Sequence, residues 1–290
     1  MTKCNMCPRN CNIDRNEKVG VCGASNKLKV AKIMLHNWEE PCISLGKGSG
    51  AIFFSHCSLK CIFCQNYEIS QLGNGKEITT AKLVDLIKQL EKMGAENINL
   101  VSPTHYTQQI VEALKQYKPK VPVVWNTNSY EKVEVIDNLY GLVDIFLADL
   151  KYCDPNMSLE YSGAKDYFDV ATKAILEYRK LVPTDEFNGE KMTRGLIVRH
   201  LVMPNGVEDS KRVFDWIKTN LGTNTIVSVM NQYTPYYKAK NHKLLSRKVT
   251  AREYDAVCDY VVNLGFENGY FQSDESASEC YIPNFTQFLD

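Results

Sequence analysis

The stretch TTAKLVDLIKQLEKMGAENINLVSP, Thr79–Pro103, sets a helix and a strand back to back. Leu83, Leu86, Ile87 and Leu90 recur at i, i+3, i+4 and i+7, one face of a 3.6-residue period. Thr79 or Thr80 can cap the start, and Gly94 stops the helix. The apolar run NINLVSP (Asn97–Pro103) is short and ends in turn residues, as a buried strand does. The same unit recurs on both sides. Further strands are expected at Ala51–Phe54, Val121–Asn128, Asp144–Lys151, RGLIVRHLVMP (194–204) and Thr225–Tyr233. Helical patterns separate them at YTQQIVEALKQY, YEKVEVIDNLYG, Tyr161–Leu181, EDSKRVFDWIKTNLG and TAREYDAVCDYVVNLGF. Strands alternating with helices at this spacing predict parallel pairing, as a βα-barrel or a doubly wound sheet. Six legible strands fall short of the eight-unit barrel. The expected fold is therefore α/β, a partial (β/α)6 TIM-like barrel over residues 50–272. Residues 1–49 read as a Cys-rich extension, loop-like apart from a strand-like stretch at Leu28–Met34, and 273–290 as a tail.

The 290 residues carry 34 Lys+Arg and 34 Asp+Glu. A formal charge of zero, with no basic appendage, disfavours a nucleic-acid partner. No run approaches the ~20 apolar residues that span a bilayer, and the start MTKCNMCPRN lacks a signal-peptide core. A cytoplasmic protein without membrane attachment is expected. Of 11 Cys, eight lie in the first 64 residues, and clustered cytosolic cysteines point to metal before disulfides.

Those cysteines form two groups. Cys57-x3-Cys61-x2-Cys64, just after a strand, supplies three thiolates where an Fe–S cluster takes four. One iron is left for an exchangeable ligand, much as catalytic zinc keeps a vacant position. The plainer alternative is a zinc loop lacking a ligand, or three unrelated buried thiols. Cys4-x2-Cys7-x3-Cys11-x10-Cys22 offers four thiolates, enough to close a zinc site or a complete cluster, with Cys42 able to substitute for one. Such a closed site would stabilise a core-poor segment or relay electrons. Cys153, Cys258 and Cys280 stand alone, and Cys258 falls in a helical pattern.

In βα-barrels the site sits at the C-terminal ends of the strands. Here those ends read Ser102, Thr104 and His105; Asn126, Thr127 and Asn128; Asp149 and Lys151; Arg199 and His200; Gln232 and Tyr233. Taken together they describe a polar pocket over a packed core.

CSLKCIFCQN, with Phe63 before the last cysteine, resembles the cluster loop of radical S-adenosylmethionine (SAM) enzymes. With EEPCISLGKGSGAIFFSHCSLKCIFCQNYEIS, SPTHY, NTNSYE, DIFLADLKY, RGLIVRHLVMP and NQYTPYYKA, nearly the whole chain resembles the radical SAM family of pyruvate formate-lyase activating enzyme homologues. The resemblance implies a 4Fe–4S cluster on Cys57, Cys61 and Cys64 whose open iron is chelated by SAM. One-electron cleavage then gives methionine and a 5′-deoxyadenosyl radical that takes hydrogen from a substrate. It also implies a flavodoxin or ferredoxin as electron donor. Phe63, Ser102, Thr104, His105, Asn126, Asn128, Asp149, Lys151, Arg199 and Gln232 become the candidate SAM contacts, with Lys151 the partner of the methionyl carboxylate. The chain departs from better-known relatives in two places. Asn126-Thr127-Asn128-Ser129 replaces an Asp-Thr-Asn-Gly run, which removes a carboxylate from any monovalent-cation site. Ser102-Pro103-Thr104-His105 replaces a Gly-Gly-Glu-like element. The hydrogen donor stays open among a glycine of a partner glycyl-radical enzyme, another protein or peptide, and a metabolite. From another class, a non-catalytic electron-transfer or zinc module has no use for a Lys and an Asp in a barrel mouth.

Overall fold

The computed structural model describes residues 3–273 together with Pro283 and Phe285. β1 (Leu28–His36) runs antiparallel to both β2 (Ser49–Phe54) and the short β3 (Lys76–Ile78). From β2 the sheet continues in parallel through β4 (Ile98–Val101), β5 (Val123–Thr127) and β6 (Ile145–Asp149). A hairpin of β7 (Glu186–Asn188) and β8 (Lys191–Leu201) comes next, with β8 parallel to β6. Then β9 (Ile226–Met230) and β10 (Gly269–Phe271) extend the parallel run. The strand order is β10-β9-β8-β6-β5-β4-β2-β1-β3, an open sheet.

The helices follow their strands. After β2 come α1 (Tyr67–Ser70) and α2 (Thr80–Met93), after β4 comes α3 (Thr107–Gln116), and after β5 the short α4 (Val133–Ile136). β6 is followed by α5 (Pro155–Ser162) and α6 (Tyr167–Leu181), β8 by α7 (Val207–Leu221) and β9 by α8 (Ala251–Asn263). Six strand-then-helix units on a parallel sheet make the fold a partial (β/α)6 TIM-like barrel. Thr79 caps α2 by accepting from the Lys82 N–H, and Gly94 ends it at φ 88°. Its buried Leu83, Leu86, Ile87 and Leu90 each contribute about 1.5–3 kcal/mol.

Every residue of β2, β5, β6 and β9 is buried, as expected of parallel strands covered on both faces. Their period of two divides the core. Trp125, Phe146, Leu196, Val198, Val227 and Val229 face the helices. Val124, Ile145, Leu147, Ile197 and Ile226 face inward and pack on Cys42 and Ile43, which plug the interior. One step further along the same inward rows stand Asn126, Asp149, Arg199 and Ser228. The interior thus changes from apolar to polar toward the C-terminal ends of the strands, and there it opens.

The structure differs from expectation in three places. β1 is hydrogen-bonded to β2, so the sheet runs across the boundary expected at 49/50. The helix expected at Tyr161–Leu181 is two, because Gly163 at φ 66° closes α5 with a left-handed cap. Cys42, which the sequence allowed to substitute for one amino-terminal ligand, packs instead in the inward core with Ile43, Val124 and Leu147. Cys280 and, Pro283 and Phe285 apart, the tail beyond 273 fall outside the described residues.

Candidate active site

A cavity of about 520 Å³ opens at the C-terminal ends of the strands, within the size range of small-ligand sites. Cys57, Cys61 and Cys64 all line it. Their loop is tied down from several sides. Lys60 N–H and Ile62 N–H donate to the Ser162 and Tyr161 carbonyls at 3.1 and 2.9 Å. Cys61 Sγ lies 3.0 Å from Ser162 Oγ, and Cys64 Sγ 3.1 Å from Ser70 Oγ. Asn128 Nδ2 donates to Cys57 Sγ at 3.3 Å. Burial pushes the Cys57 and Cys61 thiols up to about 11 and raises that of Cys64. Among the described residues, no three His, Cys, Asp or Glu side chains are drawn around one point to hold a single ion. The trio instead presents three separate thiols to one cavity. These are the residues that would hold an iron–sulfur cluster.

Across from the thiols stands an ionic network. Lys151 Nζ donates to Asp149 Oδ2 at 2.6 Å, and Arg199 Nε to Asp149 Oδ1 at 2.8 Å. Arg199 also reaches Asn126 Oδ1 at 2.7 Å and Glu39 Oε2 at 3.2 Å. Burial works against the charge on Asp149, but Arg199 and Lys151 hold its carboxyl below the ordinary value. Burial likewise opposes the Lys151 ammonium, which Asp149 keeps above the ordinary lysine range. Both oxygens of Asp149 are engaged by cationic side chains, so positive charge is built in where a bound cation would need a carboxylate. The Tyr167 hydroxyl reaches the Asn128 and Asp149 carbonyls at 3.0 and 2.9 Å and accepts from the Lys151 N–H, which locks these strand ends together.

Of the residues expected to contact SAM, Ser102, Asn126, Asn128, Asp149, Lys151, Arg199 and Gln232 line the cavity, as does Thr127. Ser102 takes φ 57° there and donates its N–H to the Asn126 carbonyl. Thr104 and His105 require correction. The Thr104 hydroxyl donates to buried Glu131, which also receives Thr127, Trp125 and Tyr178. His105 Nε2 sits 2.7 Å from the Ser55 carbonyl, and burial lowers its pKa to about 3, so the ring is neutral and structural. Phe63 packs behind the lining on Tyr233, with ring centroids 6.0 Å apart. The Tyr233 hydroxyl is engaged with the Leu245 carbonyl. His200 is buried between the Leu150 carbonyl and Ser210 Oγ. Sequence reasoning missed Glu39 and Glu40, which enter the cavity from the loop after β1. A Glu-Glu pair between a strand and Pro41 was the available signal, and it reads equally as a solvated turn.

The amino-terminal cysteines sit against the back of the cluster loop. Arg9 Nε donates to the Ser58 carbonyl at 2.8 Å, and Lys60 Nζ to the Cys22 carbonyl at 3.3 Å. The His56 ring lies against Gly23 and Gly73. Cys11 Sγ accepts from the Val21 N–H at 3.3 Å and Cys22 Sγ from the Ala24 N–H at 3.4 Å. A Cβ on Gly20 would stand 3.4 Å from both sulfurs, so the chain approaches this pair closely. Cys7 is pushed up to about 12, by burial first and then by Cys22, Cys11 and Cys4 nearby. Two of these four neighbouring thiols thus accept from a backbone N–H, but no three of the four are gathered around one point.

A partial barrel with three thiols and a charged cavity open at its strand ends defines a cofactor-dependent α/β enzyme class. The radical SAM superfamily profile matches residues 51–189. An uncharacterized protein of Methanocaldococcus jannaschii, MJ0674, is 33% identical over 261 residues, covering 87% of this chain and 72% of the relative. The crystal structure of Streptococcus suis SuiB bound to S-adenosylmethionine superposes with a TM-score of 0.51 at 16% identity, covering 75% of this chain and 48% of that one. SuiB bound to its precursor peptide SuiA gives 0.51 at 15% identity, covering 75% and 46%. The chain spans about half the length of SuiB, and that likeness concerns the fold. The chain belongs to the radical SAM superfamily. Its cofactors are accordingly a 4Fe–4S cluster and SAM, which when bound supply a carbon-centred radical for hydrogen abstraction.

Proposed function

We propose that this chain is a radical SAM oxidoreductase of the pyruvate formate-lyase activating enzyme type, with Cys57, Cys61 and Cys64 as cluster ligands. The observation that carries the reading is one cavity shared by these three thiols and by Lys151, Asp149, Arg199 and Asn126. Lys151 donates to the methionyl carboxylate while Asp149, fixed by Arg199, orients its ammonium. Asn128 holds Cys57 by an N–H···S bond and so supports cluster and cofactor from one strand end. Hydrogen is taken from a partner's glycine, another protein or peptide, or a metabolite, and a flavodoxin or ferredoxin supplies the electron in the cytoplasm. The four amino-terminal thiols hold a second, closed centre, iron–sulfur or zinc, packed on the cluster loop.

The test is anaerobic reconstitution with iron and sulfide, then SAM and dithionite, reading 5′-deoxyadenosine. The wild type forms it, and Cys57→Ala/Cys61→Ala/Cys64→Ala gives only the protein-free background. Equal amounts from both proteins would overturn the assignment.

A further inference from the structure

Glu39 and Glu40 share the cavity but not the same satisfaction. Glu39 accepts from Asn99 at 2.8 Å, Asn126 at 3.2 Å and Arg199 at 3.2 Å. Arg199 is thereby fully committed: Nε to Asp149, one terminal nitrogen to Glu39, the other to Asn126. Glu40 lies beside Ser228 on β9 and is only 7% exposed. Its Oε2 has no hydrogen-bond partner among the described residues. A buried carboxylate oxygen left unpaired is costly, and native chains seldom retain one without use.

The charges here are also unequal. Among the described residues of this wall, Asp149, Glu39 and Glu40 stand with two cations, Lys151 and Arg199, so the wall is one positive charge short when all three carboxyls are ionised. Burial raises the Glu40 pKa, Arg199 pulls it down and Glu39 pushes it up again; one more cation would complete the ionised form. Position separates that vacancy from the cluster loop. Cys57 follows β2, whereas Ser228 lies on β9, five strands along in the order β2-β4-β5-β6-β8-β9. Tyr270, Phe271 and Trp38 line the neighbouring rim, an aromatic surface suited to an alkyl stem and its charged end.

Resting on the SAM reading above, we infer that Glu40 is a substrate-recognition residue and that it takes a primary ammonium, carried on an apolar stem. One open oxygen matches a compact ammonium, whereas a guanidinium fork requires two acceptors side by side. Two sources share this chemistry, a lysine side chain of a peptide and a free alkylamine.

The experiment uses reconstituted, SAM-loaded protein and follows tryptophan fluorescence during titration. The probes are Nα-acetyl-lysine methylamide, its neutral partner Nα-acetyl-norleucine methylamide, n-pentylamine and n-pentanol. At least one ammonium probe should bind wild type roughly 10- to 100-fold more tightly than its neutral partner. That ratio should collapse to about one in Glu40→Gln and be partly kept in Glu40→Asp. Stronger preference in the lysine pair assigns a peptide source; stronger preference in the pentyl pair assigns a free amine. Equal binding of charged and neutral probes by wild type overturns the inference without reference to any variant, as does an unchanged ratio in folded Glu40→Gln. The same preparation is assayed for 5′-deoxyadenosine. Its absence would overturn the SAM reading, while its presence without ammonium preference overturns only the role of Glu40.

Discussion

The two cysteine groups are neighbours, and burial raises the thiols of Cys7 and Cys22 in one as it does those of Cys57, Cys61 and Cys64 in the other, yet they are built for opposite ends. Cys57, Cys61 and Cys64 all border one cavity and face fixed charges across it. Of the amino-terminal four, Cys4 borders a separate surface pocket, and Cys11 and Cys22 each accept from one backbone N–H. The first arrangement leaves room for an exchangeable ligand; in the second, Cys7 and Cys22 are buried in protein. Reactivity here follows from what stands opposite the thiols, since burial is common to both.

The sharpest way to break this contrast is to remove one ligand from each group. Cys61→Ala should abolish 5′-deoxyadenosine formation and SAM binding together. Cys7→Ala should retain SAM binding by equilibrium dialysis while losing its metal complement, read as iron or zinc per chain. If Cys7→Ala abolished SAM binding as completely as Cys61→Ala, the two groups would be one functional unit.

Next in size is the charged wall. Lys151→Ala removes one charge-assisted donor while Asp149 keeps Arg199, so SAM affinity should fall about 10- to 100-fold with the fold intact. Unaltered affinity would move the carboxylate site elsewhere. The smallest effect concerns the seam between the groups. Gly23 has φ 92°, and a Cβ there would stand 2.8 Å from His56 Nδ1, in the residue before Cys57. Gly23→Ala should cost about 1–3 kcal/mol in thermal or denaturant unfolding. It should also lower cluster occupancy through the displaced His56. Full stability would mean that the lobe is only loosely seated.

The parallel strands were legible because burial on both faces leaves them as short apolar runs between amphipathic helices, as at Ile145–Asp149. The cluster loop was legible because its ligands are local in sequence. Thr104 and His105 misled for a reason that spacing cannot reveal. They follow a strand end, but Ser102 at φ 57° turns the chain into a 3-10 turn that buries both side chains away from the mouth. Glu39 and Glu40 escaped notice because they come from a loop inserted into the barrel from outside its βα rhythm.

What the amino-acid order alone determined was local: helix caps at Thr79 and Gly94, the alternation of units, and three thiols within one loop. These depend on periodicity and on contacts between residues a few positions apart. The tertiary structure decided which distant groups meet. It commits Arg199 to Asp149 and Glu39 across separations of 50 and 160 residues, leaves Glu40 without a hydrogen bond from that guanidinium, and sets the amino-terminal lobe on the cluster loop. Those pairings depend on the folded path of the sheet, because a buried charge is tolerated only where the chain brings it a partner.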